Sequence, residues 1–402
     1  MMEHVKLPNS VKVVIIGGGV IGASVAYHLA ERGCKDVLLL EKDGIAAHSS
    51  HKAAGQLFRG GMSDTTFEII LRCFSLYEKF HANGDIELHG NRIFIPVREK
   101  DPEMLKTAVR SYPQMGERFG AAVAEYLDDP EKCFQAIPDL KTTNIRNLGN
   151  LEGALYTARD AWVDPYLMTM AYIKHARRMG VDIRTRVKVE DVIVEGGKVR
   201  GVETAAGRVK CEYVVNAAGG WASKIGEMAG LEMPVKPCRA SLIKIQLKEE
   251  KEYEMGMYFD VFESMTERQG LWIRDDIVGY IAGGDHDPIG LAPSVDPDDY
   301  NEGYTYEDVM KLADKLEEFM PGFGDFEVVD GWAGIYGNVG DANWLIDSMD
   351  NPEGFVICAG FCGEGIHASA AAGLLASELI LDGKIKSVKD PSQWAYNTRR
   401  FR

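Results

Sequence analysis

Two short apolar runs near the N-terminus enclose a segment with the periodicity of a helix. Residues 11–16 and 37–40 are almost entirely apolar, and the segment between them opens with three glycines and continues with small and apolar residues. A strand, a glycine turn, a helix and a second strand in this order are typical of a βαβ unit in a parallel sheet. The pattern therefore predicts an α/β unit at this end of the chain.

Periodic patterns predict further elements along the chain. Apolar residues recur at helical spacing in residues 64–81, 165–180, 306–319 and 366–381. Alternating or continuous apolar runs predict strands at residues 88–97, 182–187, 192–195, 199–204, 213–219 and 354–359. Elements that define an α/β fold thus lie at both ends and in the middle, whereas residues 234–330 are rich in strand-forming and aromatic residues.

The glycines of the first turn follow the spacing that binds an adenine dinucleotide. Gly17 allows the tight turn, Gly19 lets the backbone approach a pyrophosphate, and Gly22 lets the helix pack closely on the sheet. The free N–H groups at the start of the helix attract the phosphates. Glu41 ends the second apolar run, where a carboxylate accepts hydrogen bonds from a ribose and repels a 2′-phosphate.

Composition and charge narrow the class of protein. The chain has 402 residues, 46% of them apolar, and a formal net charge of −16, which argues against nucleic-acid partners and anionic membranes. No apolar stretch reaches transmembrane length, and the first ten residues lack the apolar core of a signal peptide. Seven cysteines without a CxxC pair indicate reduced thiols and no metal site. We therefore expect a cytoplasmic protein.

Four separate blocks of the sequence resemble the D-amino acid oxidase-like family of FAD-dependent amine and amino-acid oxidoreductases. These blocks are the N-terminal βαβ unit and residues 214–222, 331–336 and 359–365. Sarcosine oxidase, dimethylglycine dehydrogenase, glycine oxidase and the β subunit of L-proline dehydrogenase belong to that family. The resemblance covers nearly the whole chain and implies FAD as cofactor.

The order of elements and the resemblance together predict the fold. We expect an α/β fold, α+β overall, in which a Rossmann-like FAD-binding domain carries a discontinuous, antiparallel-sheet substrate domain. The FAD-binding domain would comprise residues 1–85, 150–228 and 331–402. The substrate-binding domain would comprise residues 86–149 and 229–330.

The resemblance implies that FAD is held without a covalent bond. The family's attaching cysteine falls on Gly334 and its attaching histidine falls on Lys52, with His51 one place earlier as the alternative site of attachment. The predicted FAD contacts are Gly17, Gly19, Val20, Ile21, Gly22, Glu41, Lys42, Ser49, Ser50, Ala54, Gly55, Gln56, Leu57, Val187, Ala217, Ala218, Gly219, Trp221, Gly334, Gly363, Gly365, Ile366 and His367.

Four residues are the candidates for contact with substrate. Arg59 matches the family's carboxylate-binding arginine, and a planar guanidinium suits a carboxylate. His286 and Tyr336 match substrate-facing positions of sarcosine oxidase. His367 falls where sarcosine oxidases carry a lysine, so it is either a second donor or an ordinary residue of the helix start.

The implied reaction is hydride transfer from a carbon next to nitrogen to flavin N5, giving an imine. The family's oxygen-activating lysine falls on Ala282, which favours a dehydrogenase over an oxidase. The expected substrate is a small carboxylated amine of the sarcosine, dimethylglycine or proline class. The electron acceptor would be a quinone, an electron-transfer protein or O2.

Two other functions remain open at this point. One is a 2-hydroxy-acid or glycerol-phosphate dehydrogenase on the same fold. The other is a flavoprotein subunit of a larger electron-transfer complex. The chain is also expected to lack the C-terminal folate-type domain of dimethylglycine dehydrogenases, so that either the imine is hydrolysed freely or a partner subunit handles the product.

Overall fold

A computed structural model describes residues 6–61, 63–139, 151–249, 253–260, 270–283, 292–396 and Arg400. The strands are β1 (Val13–Ile16), β2 (Val37–Glu41), β3 (Gln56–Leu57), β4 (His89–Arg98), β5 (Ala124–Leu127), β6 (Leu151–Trp162), β7 (Asp182–Thr185), β8 (Val189–Glu195), β9 (Lys198–Thr204), β10 (Val209–Lys210), β11 (Tyr213–Asn216), β12 (Lys236–Leu247), β13 (Met257–Phe259), β14 (Trp272–Asp275), β15 (Tyr280–Gly283), β16 (Phe326–Asn338), β17 (Leu345–Asp350) and β18 (Glu353–Ala359). The α-helices are α1 (Val20–Glu31), α2 (Asp64–Ala82), α3 (Glu103–Arg118), α4 (Pro130–Ala136), α5 (Pro165–Arg178), α6 (Ala222–Met228), α7 (Tyr306–Phe319) and α8 (Gly365–Asp382).

The first sheet has the parallel centre of a dinucleotide-binding fold. Its strands follow the order β10-β9-β18-β11-β1-β2-β7, and the pairs from β18 to β7 are parallel. Strands β8 and β17 add antiparallel pairs to β9 and β18. The central strand β1 reads Val-Val-Ile-Ile because both of its faces are buried.

Helices α1 and α8 pack closely against each other over this sheet. Nearly every residue of both helices is buried, which explains their richness in alanine and glycine. A Cβ atom on Gly373 of α8 would lie 2.3 Å from Oγ of Ser24 in α1, so only glycine permits this approach. The tight contact fixes the start of α8 relative to the glycine turn before α1.

The second sheet is mainly antiparallel and lies beside the first. Its strand order is β16-β12-β15-β14-β13-β4-β6-β3, with β5 paired to β6 and only β13 and β4 running parallel among the described pairs. One face packs on α7 through a cluster that includes Ile243, Ile273 and Leu316. Helix α7 is capped by Thr305, whose side chain and that of Asp308 form a capping box.

The predicted elements and the predicted α/β, two-sheet fold are confirmed, with shifts of a few residues at their ends. Sheet membership moves three segments across the expected division of the chain. Strand β6 pairs with β3, β4 and β5, and β16 pairs with β12, so β3, β6 and β16 belong to the second sheet. The expected boundaries at residues 150 and 331 therefore cut off strands of the substrate-side sheet, because strand pairing is set by partners far away in the chain.

In the part of the chain that the structure describes, none of the helices combines the length and the apolar composition needed to cross a bilayer. The longest helices are amphipathic or composed of small residues that face other helices.

Candidate cofactor and substrate site

A cavity of about 370 Å³ lies between the carboxyl ends of the parallel strands and one face of the second sheet. Segments from both ends of the chain line it: the β1–α1 turn, residues 46–56, residues 217–221, and the turn from Cys358 into α8. Ligands of open α/β sheets bind at the carboxyl ends of the strands. The position of the cavity is therefore the one that the glycine motif predicts.

The turn between β1 and α1 has no room for larger residues. Gly17 has a φ of 114°, and a Cβ atom on it would lie 2.5 Å from the carbonyl oxygen of Ala217. A Cβ atom on Gly22 would lie 2.0 Å from the carbonyl oxygen of Gly17. The first intrahelical bond of α1 runs from Ala23 N–H to the Gly19 carbonyl, so the amides before it have no partner within the helix.

Glu41 lies beside this turn in the position expected for a ribose-binding acid. Its two carboxylate oxygens accept hydrogen bonds from the backbone N–H groups of Gly18 (2.6 Å) and Asp43 (2.7 Å). Each oxygen keeps a second lone pair for a ribose hydroxyl. The two amides hold the carboxylate rigidly in the cavity wall.

The far end of the cavity next to Glu41 is lined by an aromatic ring and cations. The Lys42 ammonium lies 4.0 Å from the ring centroid of Trp221, and the imidazole of His48 is 4.7 Å from that ring on centroids. Val187 completes this end. Because an adenine ring is flat and apolar on its faces, these groups fit the adenine half of a dinucleotide.

The opposite end of the cavity is formed by the start of α8. Gly360, Cys362 and Gly363 all have positive φ, and together they turn the chain from β18 into the helix. The Ala368 N–H donates to the Glu364 carbonyl (2.8 Å), so the three preceding amides have no partner within the helix. These N–H groups and the helix dipole favour negative charge at this point of the cavity.

Tyr336 lies against this turn. A Cβ atom on Gly363 would lie 2.8 Å from Cζ of the Tyr336 ring, so the tyrosine packs directly over the glycine. Both residues line the cavity. The structure thus places Tyr336 in the cavity wall at the start of α8, and its contact with substrate stays a prediction.

His367 is buried in the first turn of α8 and joins it to the loop that carries residues 54–60. Its Nδ1 accepts a hydrogen bond from the Phe58 N–H (3.1 Å), which places the proton of the neutral ring on Nε2. Burial lowers the pKa of His367 to about 4, against a weaker opposing effect of the Gly60 backbone. At neutral pH the ring is uncharged, and its Nδ1 is occupied by the Phe58 N–H.

The second sheet presents an apolar wall to the end of the cavity where α8 starts. The side chains that form it come from β12, β13 and β14 and are Ala240, Leu242, Met257, Phe259 and Trp272. Ala282 is not among them, because it points to the opposite face and packs with Ile243 and Ile273. The inference from Ala282 about oxygen is therefore corrected: that position does not face the cavity.

Arg59 is a predicted substrate contact whose side chain the structure does not bring to this cavity. Its guanidinium lies 4.0 Å from the Phe74 ring centroid and forms an ion pair with Glu78 (2.9 Å). It lines a separate surface cavity with Asp160, a buried acid whose pKa burial raises to about 6. The Asp160 carboxylate accepts the Arg59 N–H (2.7 Å) and so fixes the backbone there.

Most of the other predicted residues line the cavity. Gly22 and Leu57 lie behind its wall, and His286 lies outside the described residues. His51 is exposed and its Nδ1 donates to the Ala46 carbonyl (2.7 Å), whereas Lys52 lines the cavity beside Gly334. The predicted residues that line the cavity are Gly17, Gly19, Val20, Ile21, Glu41, Lys42, Ser49, Ser50, Ala54, Gly55, Gln56, Val187, Ala217, Ala218, Gly219, Trp221, Gly334, Tyr336, Gly363, Gly365, Ile366 and His367.

Other lining residues were not predicted. They include Phe58, Lys224, Asp298, Glu364 and the apolar wall of the second sheet. Alternation along β12 gives a signal for its two facing residues, Ala240 and Leu242. Asp298 carries no local signal, since it reaches the cavity only through the folding of a long connection.

These features fit FAD. The ribose acid and aromatic ring lie at one end, the glycine turn and α1 amides follow, and a second helix start lies at the other end, where a reduced isoalloxazine ring carries negative charge. The match to the family model agrees: residues 12–379 match the model described as FAD dependent oxidoreductase. The chain belongs to this family of FAD-dependent oxidoreductases.

Individual relatives differ in how much of their length this chain matches. The chain is 35% identical to human mitochondrial dimethylglycine dehydrogenase over 238 residues, which cover 56% of this chain but 25% of that protein. It is 26% identical over 405 residues to the hydrogen cyanide synthase subunit HcnC of Pseudomonas protegens, covering 92% of both. The match thus spans about a quarter of the first relative and nearly all of the second.

Solved structures show the same fold over nearly the whole chain. The L-proline dehydrogenase of P. horikoshii superposes with a TM-score of 0.82 at 24% identity, covering 98% of both chains. The glycine oxidase of Bacillus cereus superposes with a TM-score of 0.73 at 25% identity, covering 94% of this chain and 96% of that one.

Proposed function

We propose that the protein is a dehydrogenase of a small carboxylated amine, of the sarcosine, dimethylglycine or proline class. The observation that carries this proposal is the geometry of the flavin end, where the start of α8 and the apolar wall of the second sheet face each other. A small substrate with an alkyl or ring carbon next to its nitrogen fits between them. FAD would supply the redox chemistry by accepting a hydride from that carbon.

The residues of this chain would orient the substrate and stabilise charge. The first amides of α8 would stabilise the negative charge of reduced flavin. The apolar wall would exclude water and hold the alkyl part of the substrate, while Tyr336 offers a phenol at the same end. His367 would keep the loop of residues 54–60 at a fixed distance from the helix start.

The character of the wall supports a dehydrogenase. A cation next to the flavin would stabilise the negative charge that O2 acquires as it takes up electrons. The five side chains that β12, β13 and β14 contribute to the cavity are uncharged, and the ammonium of Lys52, which lines the same end, is paired with Glu302. We therefore infer that a quinone or an electron-transfer protein accepts the electrons and that O2 reacts slowly.

The residues expected around the isoalloxazine ring support FAD held without a covalent bond. Gly334 offers no nucleophile, and His51, the alternative site of attachment, lies outside the cavity lining. Lys52 takes the position of the family's attaching histidine.

A partner subunit is also proposed, because one relative that matches along nearly its whole length is named as a synthase subunit. The seven free thiols support a reducing, cytoplasmic compartment.

Anaerobic titration of the purified yellow protein tests the proposal. We expect sarcosine, dimethylglycine, proline or a related amine to bleach the flavin absorbance, and readmitted air to restore it slowly. Bleaching by 2-hydroxy acids or glycerol phosphate alone would replace this function with the alcohol-oxidising alternative. A yellow protein that none of these compounds bleaches would point to a subunit that only relays electrons.

A further inference from the structure

Three lysines in the cavity wall are each paired with acids from one short segment. We call residues 296–303 the strap. Asp298 of the strap lines the adenine end of the cavity and accepts hydrogen bonds from Lys42 (3.0 Å), Lys224 (2.6 Å) and Trp221 Nε1 (2.7 Å). These three donors lower the pKa of Asp298 strongly, although partial burial acts in the opposite direction. The carboxylate is therefore charged when the strap is in place.

The strap also reaches the other end of the cavity. The ammonium of Lys52 donates to Glu302 (2.6 Å) and to the hydroxyl of Tyr300 (3.1 Å). The Lys52 side chain is 8% exposed whereas that of Glu302 is 59% exposed. Lys52 thus runs from the cavity wall beside Gly334 outward to the strap. Of the strap residues, Asp298 lines the cavity, and the strap is linked to the wall beside Gly334 through Lys52.

The two ends of the strap are attached to the second sheet. Val295 N–H donates to the Pro237 carbonyl (2.9 Å) just before it, and Gly303 forms a bridge with Trp332 at its end. Near that end Ala333 N–H donates to the Glu302 carbonyl (2.8 Å). On its other side, towards the lysines of the cavity wall, the strap's described contacts are made by side chains. These are its carboxylates and the Tyr300 hydroxyl.

Such contacts hold a segment in place but release it easily. Ion pairs between partly exposed side chains contribute little stability and weaken with salt. Opening either sheet would instead break ladders of buried backbone hydrogen bonds. Moving the strap away from the first sheet therefore breaks side-chain contacts and costs less than opening either sheet.

We propose that the strap is the gate through which FAD enters and leaves, and that Asp298 and Glu302 hold it closed. With the strap open, Lys42, Lys224 and Lys52 face the incoming pyrophosphate, which carries negative charge. With the strap closed, the same ammonium groups are neutralised by its carboxylates. The lysines would thus first attract the dinucleotide and then fasten the cover over it.

The rates of FAD release and uptake test this proposal without any substrate. Release is followed in the holoprotein by the rise of flavin fluorescence on dilution, and uptake in the apoprotein by its loss. For the double variant Asp298→Asn/Glu302→Gln we expect both rates to rise about tenfold and the dissociation constant to change less than about threefold. In the unaltered protein, release should accelerate between about 0.05 and 0.5 M salt.

A matched control separates the gate from a general loss of surface charge. Glu307→Gln removes an exposed partner of Lys311 (3.0 Å) in α7, outside the cavity, and should leave both rates unchanged. If the double variant releases FAD faster but takes it up at the normal rate, Asp298 and Glu302 are merely contacts and the gate is excluded. Salt-independent release from the unaltered protein would exclude it as well.

Discussion

Arg59 shows how one side chain can link the surface to the cavity. Its neighbour Phe58 lines the cavity, yet its own guanidinium is turned outward to Glu78. The two side chains are 27% and 51% exposed, so their ion pair contributes about 1 kcal/mol or less. We propose that Arg59 leaves Glu78 and turns inward when a carboxylated substrate binds.

Two substitutions test this movement. Glu78→Gln should lower KM for the carboxylated amine by up to about fivefold, because it removes the competing partner and about 1 kcal/mol corresponds to that factor. Arg59→Ala should raise KM about tenfold or more, with Arg59→Lys in between. Steady-state kinetics with a dye acceptor provide the measurement. If both variants keep KM within about twofold, Arg59 is a surface residue and the carboxylate is bound elsewhere.

At the scale of the element, the start of α8 depends on its glycine turn. Gly363 combines a φ of 91° with a site where a Cβ atom would lie 2.8 Å from the Tyr336 ring. Any side chain must therefore displace either the ring or the first turn of the helix. Because the amides of this turn are the groups that would stabilise reduced flavin, a small displacement has a direct consequence for the cofactor.

Gly363→Ala is expected to weaken FAD binding about tenfold or more. Gly383→Ala is a matched control, since Gly383 ends the same helix with a φ of 71° and has open space around its Cβ position. The control should cost about 1 kcal/mol of stability and leave FAD affinity unchanged. Fluorescence titration of the two apoproteins with FAD measures the difference. Equal affinities would show that the turn does not position the cofactor.

At the scale of the whole molecule, buried ionisable groups make stability depend on pH in two opposing ways. Burial lowers the pKa of His28 to about 4, and burial raises the pKa of Asp275 to about 6. As pH falls from about 6.5 to 4, the unfolded chain protonates His28 while the folded one does not, so stability is lost. As pH falls from about 6 to 4, the folded chain protonates Asp275 first, so stability is gained.

Single variants should separate these effects. Relative to the unaltered protein, His28→Gln should gain about 2 kcal/mol of unfolding free energy between pH 7.5 and pH 5, because it no longer takes up that proton on unfolding. Asp275→Asn should lose about 1 kcal/mol over the same interval. Urea denaturation at both pH values, with FAD saturating, gives the free energies. Shifts of equal sign in the two variants would contradict the assignment.

Much of the FAD-binding half was predictable because its signals are local. The βαβ pattern, the spacing of Gly17, Gly19 and Gly22, and the acid at Glu41 lie within a short stretch of chain. Backbone φ and close helix packing restrict those positions to particular residue types. The same holds for α5, whose N-cap residue Asp164 accepts the Leu167 N–H (3.0 Å) with its side chain.

The substrate side could not be predicted in the same way, because a strand residue faces the cavity or the core according to its register. Ala282 and Met257 lie on opposite faces of one sheet, and only pairing with distant strands decides which face each takes. Likewise, the Arg59 guanidinium is placed by contacts with Phe74 and Glu78, which lie in α2.

The amino-acid sequence by itself thus determined the cofactor and the order of elements, since short-range spacing and backbone geometry encode both. Only the tertiary structure decided which side chains meet at the flavin end and which acids pair with the lysines of the cavity wall. Those contacts join residues such as Lys52 and Glu302, far apart in the chain, and burial and charge become defined only when they pack together.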